Sequence, residues 1–321
     1  MKQYRSLVTG GAGFIGSHVV ETLVKSGDRV RVLDDFSTGF RTNLDGVRDD
    51  VEVIRGTICN PDIVRKAIKG MDYVFHLAAN RAVLHSVENP RHTNDVNITG
   101  MLNILIAARD EDVRRVIFSS SSSIYGDTKK FPSAENDRPA PASPYAVSKL
   151  VGEYYCQLFS QLYDLATVSL RYFNVFGPRQ NPESRYSAVI PIFIECLISN
   201  QRPEVHWDGR QSRDFSYVDN VAHANLRARS IKQVSGDVFN ISTQEERSVL
   251  EILDELKHIL KKPLIKPRFA PKRAGDVRRT YANIRKAKQV LGFQVQTRFK
   301  EGLEKTAEWF QQCRSMKKGS R

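Results

Sequence analysis

Two residues able to move a proton stand four positions apart in the stretch SPYAVSKLVGEYY, residues 143–155. The phenol of Tyr145 precedes the ammonium of Lys149, and the Ser-Pro dipeptide before them is typical of a helix start. Because residues i and i+4 share one face of a helix, the two side chains are predicted to lie together. The same spacing recurs at Tyr125 and Lys129, but a glycine directly after that tyrosine indicates a turn. Tyr145 and Lys149 are therefore the candidate catalytic pair.

A glycine-rich turn near the N-terminus predicts the cofactor. In VTGGAGFIGSH, Gly10, Gly13 and Gly16 fall between a predicted strand and a predicted helix. This spacing permits a tight turn, lets the backbone approach a pyrophosphate and packs the helix closely on the strand. The N-terminus of the helix then offers N–H groups to the phosphates. Asp34 ends the next strand, 18 residues past Gly16, where a carboxylate accepts both ribose hydroxyls and repels a 2′-phosphate. NAD is therefore expected rather than NADP.

The pairing of a phenol with such a cofactor has an energetic reason. Free tyrosine titrates near pH 10, so lowering its pKa to about 7 requires roughly 4 kcal/mol of preferential phenolate stabilisation. A nearby Lys149 and the positive nicotinamide ring can supply this in a partly dry cleft. A phenolate at Tyr145 would then be a suitable base for a sugar or alcohol hydroxyl.

A run of serines offers the hydroxyl that would hold the reacting oxygen. Residues 119–123 lie at the carboxyl end of a predicted strand, where open parallel sheets bind ligands. Strand alternation predicts that Ser119, Ser121 and Ser123 lie on one side.

The elements that must position these groups alternate in the first half of the chain. Apolar runs such as SLVTG, RVRVLDD, DYVFHLAA and RVIFSSS are separated by helical patterns such as GFIGSHVVETLVKSG and ITGMLNILIAARD. This alternation predicts a doubly wound α/β fold with a parallel sheet covered on both faces. After about Gly177 the rhythm changes to shorter elements. We therefore expect an NAD-binding Rossmann domain over residues 1–177, with a return segment near 214–243, and a smaller α/β substrate lobe mainly over 178–321.

Bulk composition narrows the class of protein further. The 321 residues contain no apolar run near the roughly 20 needed to cross a bilayer, and the N-terminus lacks the apolar core of a secretory signal. Four cysteines lie far apart without a CxxC pair, which indicates reduced thiols in a cytoplasmic protein and no metal site.

The formal charge of +13 suggests anionic partners without choosing among nucleotides, nucleic acids and membranes. Eight basic residues and one acid lie between Lys261 and Arg279, a segment we interpret mainly as a solvated face. Its charges are not interleaved with aromatics as single-strand binding favours, so no nucleic acid or membrane partner is expected. A non-catalytic RNA-binding or scaffolding role is the alternative, and the intact Ser121/Tyr145/Lys149 set argues against it.

Several motifs in order, TGGAGFIG, HLAA, SSSSIYG, SPYAVSK and RYFNVFGPR, resemble the extended short-chain dehydrogenase/reductase family. The similarity is to its NAD-dependent nucleotide-sugar epimerase/dehydratase branch, most of all to UDP-glucose and UDP-N-acetylglucosamine 4-epimerases. It continues through SRDFSYVDNV and RAGDVRRTYA to LGF near residue 293. The resemblance implies that Ser121, Tyr145 and Lys149 are catalytic. It also implies a homodimer formed through the Tyr145 helix and its neighbour.

The resemblance also implies the remaining contacts to NAD. Beyond the three glycines and Asp34, the residues expected to bind it are Phe14, Ile15, Asp35, Ser37, Gly39, Thr57, Ile58, Leu77, Ala78, Ala79, Arg81, Asn97, Ser119, Tyr145, Lys149, Tyr172 and Val175. Two positions depart from the family pattern. Thr57 replaces the acidic residue that contacts adenine, and Asp35 replaces the usual asparagine.

The implied reaction is removal of hydride from C4 of a UDP-sugar while Tyr145 takes the hydroxyl proton. In a 4-epimerase the 4-keto intermediate then rotates, and hydride returns to the opposite face. Dehydratases of the branch carry an acidic pair after the catalytic hydroxyl residue, and decarboxylases commonly carry a glutamate at the second of those positions. Here these positions are Ser122 and Ser123. Epimerisation is therefore the expected reaction.

The resemblance places a UDP-sugar against the substrate lobe. The expected contacts are Ser121, Ser122, Ser123, Asn174, Ala188, Val189, His206, Arg213, Arg273, Asp276 and Thr280. Asn174 resembles a phosphate-contacting asparagine, and His206 falls near a ring that stacks on uracil, although VHWDG departs from the usual pattern. Position 280 is bulky in relatives restricted to non-acetylated sugars. Thr280 therefore favours UDP-N-acetylglucosamine (UDP-GlcNAc) and UDP-N-acetylgalactosamine (UDP-GalNAc), with UDP-glucose and UDP-galactose as further expected substrates. The nearest alternative is a UDP-glucuronate 4-epimerase or another enzyme of the branch that forms a 4-keto nucleotide sugar.

Overall fold

The structure is a computed structural model that describes residues 3–182, 188–232, 234–272 and 277–319, with side chains described as far as residue 315. In chain order the strands are β1 (Arg5–Thr9), β2 (Arg29–Asp34), β3 (Val51–Arg55), β4 (Tyr73–His76), β5 (Arg115–Ser121), β6 (Thr167–Tyr172), β7 (Val175–Phe176), β8 (Glu204–His206), β9 (Ser212–Asp214), β10 (Ser216–Tyr217), β11 (Asp237–Ile241), β12 (Glu246–Ser248), β13 (Arg268–Ala270) and β14 (Arg279–Thr280).

The helices are α1 (Phe14–Lys25), α2 (Pro61–Ile68), α3 (Val83–Glu88), α4 (Pro90–Asn94), α5 (Gly100–Asp110), α6 (Pro144–Tyr163), α7 (Val189–Ile198), α8 (Val218–Ser230), α9 (Val249–Ile259) and α10 (Phe299–Gly319). Tighter 3₁₀ turns cover Arg41–Asp50 and Ser122–Tyr125, and wider π turns cover Asp95–Thr99 and Ala287–Leu291.

Seven parallel strands form the central sheet in the order β11-β6-β5-β4-β1-β2-β3. The order reverses at β1, so helices leave for opposite faces on its two sides. A crevice therefore forms at the carboxyl ends of β1 and β4, where such sheets bind ligands. The predicted doubly wound parallel fold is confirmed.

Alternating side chains of the strands divide the first half into two cores. Val8 and Phe75 pack with α1 and α8 on one face, and Leu7 and Val74 pack with α2 and α5 on the other. Both faces of the sheet are buried, which is why its strands are nearly continuous apolar runs.

A third core lies in the C-terminal part of the chain. Phe193 of α7, Ile252 of α9 and Phe299 of α10 pack there with Phe176 and Phe215. The chain also returns to the central sheet, because β11 pairs with β6 as its edge strand. That return falls inside the segment near 214–243, while the division into two domains remains a prediction.

No helix in the described ranges combines the length and the apolar character needed to cross a membrane.

Candidate active site

A cleft of about 850 Å³ opens at the carboxyl ends of the sheet strands. Its walls bring together most of the residues singled out above: Gly10, Gly13, Phe14, Ile15, Gly16, Asp34, Asp35, Ser37, Gly39, Thr57, Ile58, Leu77, Ala78, Ala79, Arg81, Ser119, Ser121, Ser122, Ser123, Tyr145, Lys149, Tyr172, Asn174, Val175, Ala188, Arg213 and Thr280. One cavity thus joins the glycine turn to the segment around Thr280.

The glycine turn is shaped for a group that approaches the backbone. Gly10 has φ +69°, and a Cβ there would lie 2.8 Å from the Ala78 nitrogen. At Gly16 a Cβ would lie 2.0 Å from the Gly10 oxygen, so no side chain fits. Helix α1 begins after Gly13 without a side-chain cap, which leaves its first N–H groups facing the cleft. This cradle fits a pyrophosphate.

Asp34 lies at the end of β2 on the same cleft wall. Its carboxylate accepts hydrogen bonds from the backbone nitrogens of Ala12, at 2.9 Å, and Phe36, at 2.8 Å. Burial raises the pKa of this carboxyl above its ordinary value, against the lowering effect of those two bonds. A buried carboxylate with lone pairs left over matches the hydroxyls of a ribose. The residues present therefore fit NAD.

Tyr145 lies in the first turn of α6, which begins where the Ser-Pro signal predicts it. The Ser143 hydroxyl accepts a hydrogen bond from the Ala146 nitrogen at 3.1 Å and caps the helix. Burial raises the pKa of the Tyr145 phenol, while a hydrogen bond with Ser121 and the positive charge of Arg81 act to lower it. Ser121 and Tyr145 both line the cleft.

Lys149 points along the same face of α6 but not at the phenol oxygen. Its ammonium donates to the Ser119 carbonyl at 2.7 Å and lies 4.9 Å from the ring centre of Phe118 and 5.9 Å from that of Tyr145. Burial lowers the pKa of Lys149 to about 8. In the protein alone, Arg81 rather than Lys149 is the cation that favours the phenolate, which differs from the sequence-based expectation.

The serine run also departs from the expected alternation. Ser119 donates to the Tyr172 hydroxyl at 3.0 Å, and Ser120 donates to the buried Glu153 on the opposite side. Strand β5 ends at Ser121, whose hydroxyl accepts a hydrogen bond from the Ser123 nitrogen at 3.1 Å and starts a 3₁₀ turn. Ser123 is thus placed by that turn and not by the strand. Its hydroxyl is buried without a hydrogen-bond partner among the described residues.

Asn97 does not line the cleft. It lies in the π turn between α4 and α5, accepts from the Asn80 nitrogen at 2.8 Å and donates to the Ser148 hydroxyl at 2.9 Å. Ser148 in turn donates to the Tyr145 carbonyl at 2.8 Å. Asn97 therefore joins the strand-end loop to the tyrosine helix, and π turns of this kind are frequent at functional sites.

At the far end of the cleft, three segments distant in sequence meet. The side-chain nitrogen of Asn174 donates to the Asp214 carbonyl at 3.0 Å and to the Thr280 hydroxyl at 2.9 Å. Thr280 pairs with Arg213 across β14 and β9. The guanidinium of Arg213 donates to the carbonyls of Ser212 and Val277, each at 2.8 Å, which fixes its direction at the wall.

Two of the expected substrate contacts lie off the cleft wall, and two more fall outside the described residues. His206 is not on the cleft wall, because β8 pairs with β13 and its ring is held 3.0 Å from the Pro271 carbonyl and 3.0 Å from the Glu204 carboxylate. Val189 also falls outside the wall, as the first residue of α7. Arg273 and Asp276 lie outside the described residues.

Arg179 lines the cleft and was not among the sequence-based candidates. Its guanidinium donates to both carboxylate oxygens of Glu21, at 2.8 and 3.0 Å, and to the Asn43 carbonyl at 2.9 Å. Asn43 donates to the Ala12 carbonyl at 2.8 Å, beside the glycine turn. The sequence carries one signal for Arg179, which is the arginine of GPR in the motif RYFNVFGPR. A charged side chain in that position needs a partner.

The basic segment 261–279 is partly neutralised by acids elsewhere in the lobe. Ion pairs join Arg268 to Glu204, Arg278 to Asp208 and Arg279 to Glu246. Lys272 lies 4.3 Å from the ring centre of Trp207. These contacts are consistent with the interpretation of a solvated face. Among the described residues, no group of three or more His, Cys, Asp or Glu is arranged to hold a metal ion.

Comparison with known proteins identifies the family. Residues 6–242 match the model of the NAD dependent epimerase/dehydratase family. A putative UDP-glucose 4-epimerase from Methanocaldococcus jannaschii is 39% identical over 313 residues, which cover 94% of this chain and 97% of that protein.

Two solved structures are similar over almost their whole length. A UDP-N-acetylglucosamine 4-epimerase from Methanobrevibacter ruminantium, in complex with UDP-N-acetylmuramic acid, is 36% identical with a TM-score of 0.93, and the match covers 98% of this chain and 100% of that one. A variant of UDP-glucuronic acid 4-epimerase from Bacillus cereus, in complex with UDP-4-deoxy-4-fluoro-glucuronic acid and NAD, is 31% identical with a TM-score of 0.90, covering 96% and 99%.

The chain belongs to the NAD-dependent epimerase/dehydratase family of extended short-chain dehydrogenases/reductases. Its cofactor is NAD and its chemistry is that of nucleotide sugars.

Proposed function

We propose that this protein is a UDP-hexose 4-epimerase that interconverts UDP-GlcNAc and UDP-GalNAc, with UDP-glucose and UDP-galactose as a second substrate pair. The observation that carries the proposal is the joining of three features in one cleft: the glycine turn, the side chains of Ser121 and Tyr145, and the small Thr280. The 4-epimerases among its relatives support the same reaction class.

Different residues of the chain carry out different parts of the reaction at C4 of the sugar. Bound NAD supplies a hydride acceptor and donor. Tyr145 takes the proton of the C4 hydroxyl and later returns it, while Ser121 holds that oxygen by a hydrogen bond. The positive charge of Arg81 acts to lower the pKa of the phenol against the raising effect of burial, and the ammonium of Lys149 lies 5.9 Å from the centre of the phenol ring. Ser122 and Ser123 cannot act as acids that eliminate water, so the 4-keto sugar is returned to a 4-hydroxy sugar.

The diphosphate and sugar are proposed to lie between Ser123, Arg213 and Ala188. Arg213 supplies positive charge at a fixed wall position, and the Ser123 hydroxyl, which has no partner among the described residues, offers a hydrogen bond. Arg273 and Asp276 are proposed as contacts to the UDP-sugar on the family resemblance alone.

The direct test is an assay of purified protein on the GlcNAc, glucose and glucuronate forms of the UDP-sugar, with chromatographic separation of the epimers. We expect conversion of UDP-GlcNAc to UDP-GalNAc, and none with the Tyr145→Phe variant. Absence of any C4 epimer from all three sugars would contradict the proposal.

The Thr280→Tyr variant tests whether the size of the side chain at position 280 selects the substrate. A ring there is expected to cut turnover of UDP-GalNAc far more than that of UDP-galactose, because only the acetamido group needs the space. Equal losses on both sugars would remove the assignment to acetylated substrates.

UDP-glucuronate 4-epimerisation is the second candidate. It is favoured by the 31% identity and near-complete overlap with the Bacillus cereus enzyme. The same assay decides between them, since a uronate epimerase would produce UDP-galacturonate at a higher kcat/KM than UDP-GalNAc.

We also propose a homodimer formed through α6. Tyr154, Leu158 and Leu162 recur along one face of this helix and are 51%, 45% and 67% exposed. Apolar side chains in such a row favour a partner surface. Light scattering of wild type and Leu158→Glu distinguishes a dimer from a monomer.

A further inference from the structure

Basic side chains from distant parts of the chain meet at one end of the third core. The segment 199–202, which follows α7, contacts two of them. Arg314 of α10 donates to the Ser199 hydroxyl, and the Lys262 ammonium donates to the Asn200 side-chain oxygen, each at 2.5 Å. Helix α7 ends directly before this segment, α9 ends shortly before Lys262, and Arg314 lies near the end of α10. The carboxyl ends of three helices therefore lie together.

The turn that follows α9 at this end is anchored and exposes a leucine. Its Ile265 packs against the third core, and the guanidinium of Arg202 donates to the carbonyls of Lys266 and Pro267 at 3.2 and 3.0 Å. Leu264 is 91% exposed, more than any other large apolar side chain in the described part of the chain. A single exposed leucine is ordinary on a protein surface. This one is held outward by a fixed turn, with a lysine two residues away on either side.

The positive charge at this end exceeds the negative charge beside it. Three acids lie here, and each is in an ion pair with a basic residue: Glu195, Glu204 and Asp254. The carboxyl ends of three helices add roughly 1.5 negative charges. Four of the seven cations have no acidic partner among the described residues, so a positive excess is left. We call these seven residues the basic end: Arg202, Lys257, Lys261, Lys262, Lys266, Arg268 and Arg314.

We propose that the basic end is a docking surface for an anionic lipid bilayer, with Leu264 inserted at the boundary between head groups and acyl chains. Lysine and arginine attract acidic head groups, and an apolar tip between them adds a contact that salt does not screen. A nucleic acid would be served better by an aromatic tip that stacks on bases, and this tip is aliphatic.

This inference goes beyond the proposed function and does not depend on it. It also replaces the sequence-based expectation that the segment 261–279 has no membrane partner. The ion pairs of Arg268, Arg278 and Arg279 neutralise the later part of that segment, but not its beginning. The sequence shows the run of charges without showing that it meets the ends of α7 and α10.

The first experiment measures co-sedimentation of the purified full chain with phosphatidylcholine vesicles containing about one third phosphatidylglycerol, at about 0.15 M salt. The triple variant Lys261→Gln, Lys262→Gln, Lys266→Gln removes three of the cations that lack an acidic partner. It should bind about 100-fold more weakly, because each cation near such a surface contributes about fivefold. Wild type should not bind vesicles of phosphatidylcholine alone.

The matched control removes the same number of charges from exposed positions elsewhere: Lys25→Gln, Lys66→Gln and Lys129→Gln. The first two lie on α1 and α2, and the third follows the 3₁₀ turn after β5. Since charges more than about 8 Å from the bilayer are screened at this salt, the control should change vesicle binding by less than about threefold. Melting temperature and bound NAD check the folding of both triple variants.

The variant Leu264→Ser separates insertion of the leucine from charge attraction. It keeps every cation of the basic end. It should bind the anionic vesicles about fivefold more weakly than wild type, the effect of partly burying one leucine side chain. The ratio of the two affinities should stay the same when the salt concentration is doubled, because burial of apolar surface is not screened.

Four outcomes would overturn the inference. Wild type would fail to bind the anionic vesicles, or the two triple variants would lose equal affinity, so that net charge alone explains binding. Unchanged binding of Leu264→Ser would remove insertion of the leucine. Tight binding of a single-stranded oligonucleotide that the Lys261/Lys262/Lys266 variant loses, without vesicle binding, would assign the basic end to nucleic acid. Each outcome is independent of the UDP-sugar that the enzyme epimerises, so failure here leaves the proposed function standing.

Discussion

The two ends of the cleft are built in different ways. At the cofactor end, the Ala12–Asp34 hydrogen bond joins residues of a single strand–helix–strand unit, 22 positions apart. At the sugar end, the Asn174–Thr280 hydrogen bond joins segments 106 positions apart. The first end uses backbone shape and one carboxylate. The second uses side chains that strands β9 and β14 bring to the wall.

This difference explains why the ends tolerate change differently. A glycine turn has no side chain to exchange, so almost any substitution alters the path of the backbone. A wall of side chains can change size or polarity while the sheet stays intact. We therefore expect substitutions at the cofactor end to act on binding of NAD and on folding, and those at the sugar end to act on choice of substrate.

The largest effect is expected at Tyr145, where the two ends meet. Tyr145→Phe removes the phenol that we propose moves the C4 proton, and kcat should fall by about 10³ or more. The matched control is Tyr125→Phe at the other YxxxK match. The Tyr125 hydroxyl is buried, donates to Asn240 at 2.7 Å and accepts from Arg171 at 2.7 Å.

Tyr125→Phe should keep activity per folded molecule but lower the free energy of unfolding by about 1–3 kcal/mol, because Asn240 and Arg171 lose a buried partner. Kinetics and urea unfolding of both variants would separate chemistry from structure. Reversed results, with Tyr125→Phe inactive and Tyr145→Phe active, would mean that the wrong tyrosine has been assigned.

The next effect is expected at the glycine turn. Gly16→Ala puts a Cβ 2.0 Å from the Gly10 oxygen, and the rigid backbone cannot give way. Bound NAD in the purified protein should fall more than tenfold. Gly46→Ala is the control, because its Cβ would lie 3.7 Å from a flexible Glu21 oxygen. Retention of NAD by Gly16→Ala, measured by absorbance and enzymatic cycling, would contradict the pyrophosphate cradle.

The sequence predicted the cofactor end better than the sugar end for the same physical reason. The glycine turn, Asp34 and the cap of α6 depend on local rules of backbone geometry, and the structure has all three. The hydrogen bond between Asn174 and Thr280 depends on how segments 106 positions apart pack together, which no local spacing encodes. The end of β5 at Ser121 was also not predictable, since a serine hydroxyl can cap a turn or continue a strand. The expected place of His206 on the cleft wall was not predictable for a similar reason. Its strand, β8, pairs with β13, which is distant in sequence.

A smaller effect is expected where Arg179 bridges the cleft wall to α1. Its ion pair with Glu21 and its bond to Asn43 hold the 41–50 segment against the glycine turn. Arg179→Ala should release NAD about five- to tenfold faster, with kcat at saturating NAD unchanged. Arg48→Ala, an exposed change in the same segment, is the control. Stopped-flow displacement of bound NAD measures the rate, and identical rates for both variants would exclude a retaining role.

A pH dependence of stability is expected at Lys149, and the other end of the cleft should lack it. Burial lowers the pKa of this ammonium to about 8 from an ordinary 10.5. Below pH 8 the folded and unfolded chains both carry the proton, and the folded chain bears the cost of burying it. Between pH 8 and 10.5 the folded chain loses the proton first, so the destabilisation that this group causes shrinks as the pH rises. The unfolding free energy of wild type, relative to Lys149→Met, should therefore rise by about 2 kcal/mol between pH 7.5 and 9.5.

Arg213→Met at the sugar end should show no such trend, because arginine stays protonated over this range. Urea titrations at both pH values measure the two differences, and a Lys149 difference that stays constant or falls would mean that its ammonium is solvated rather than buried beside Phe118.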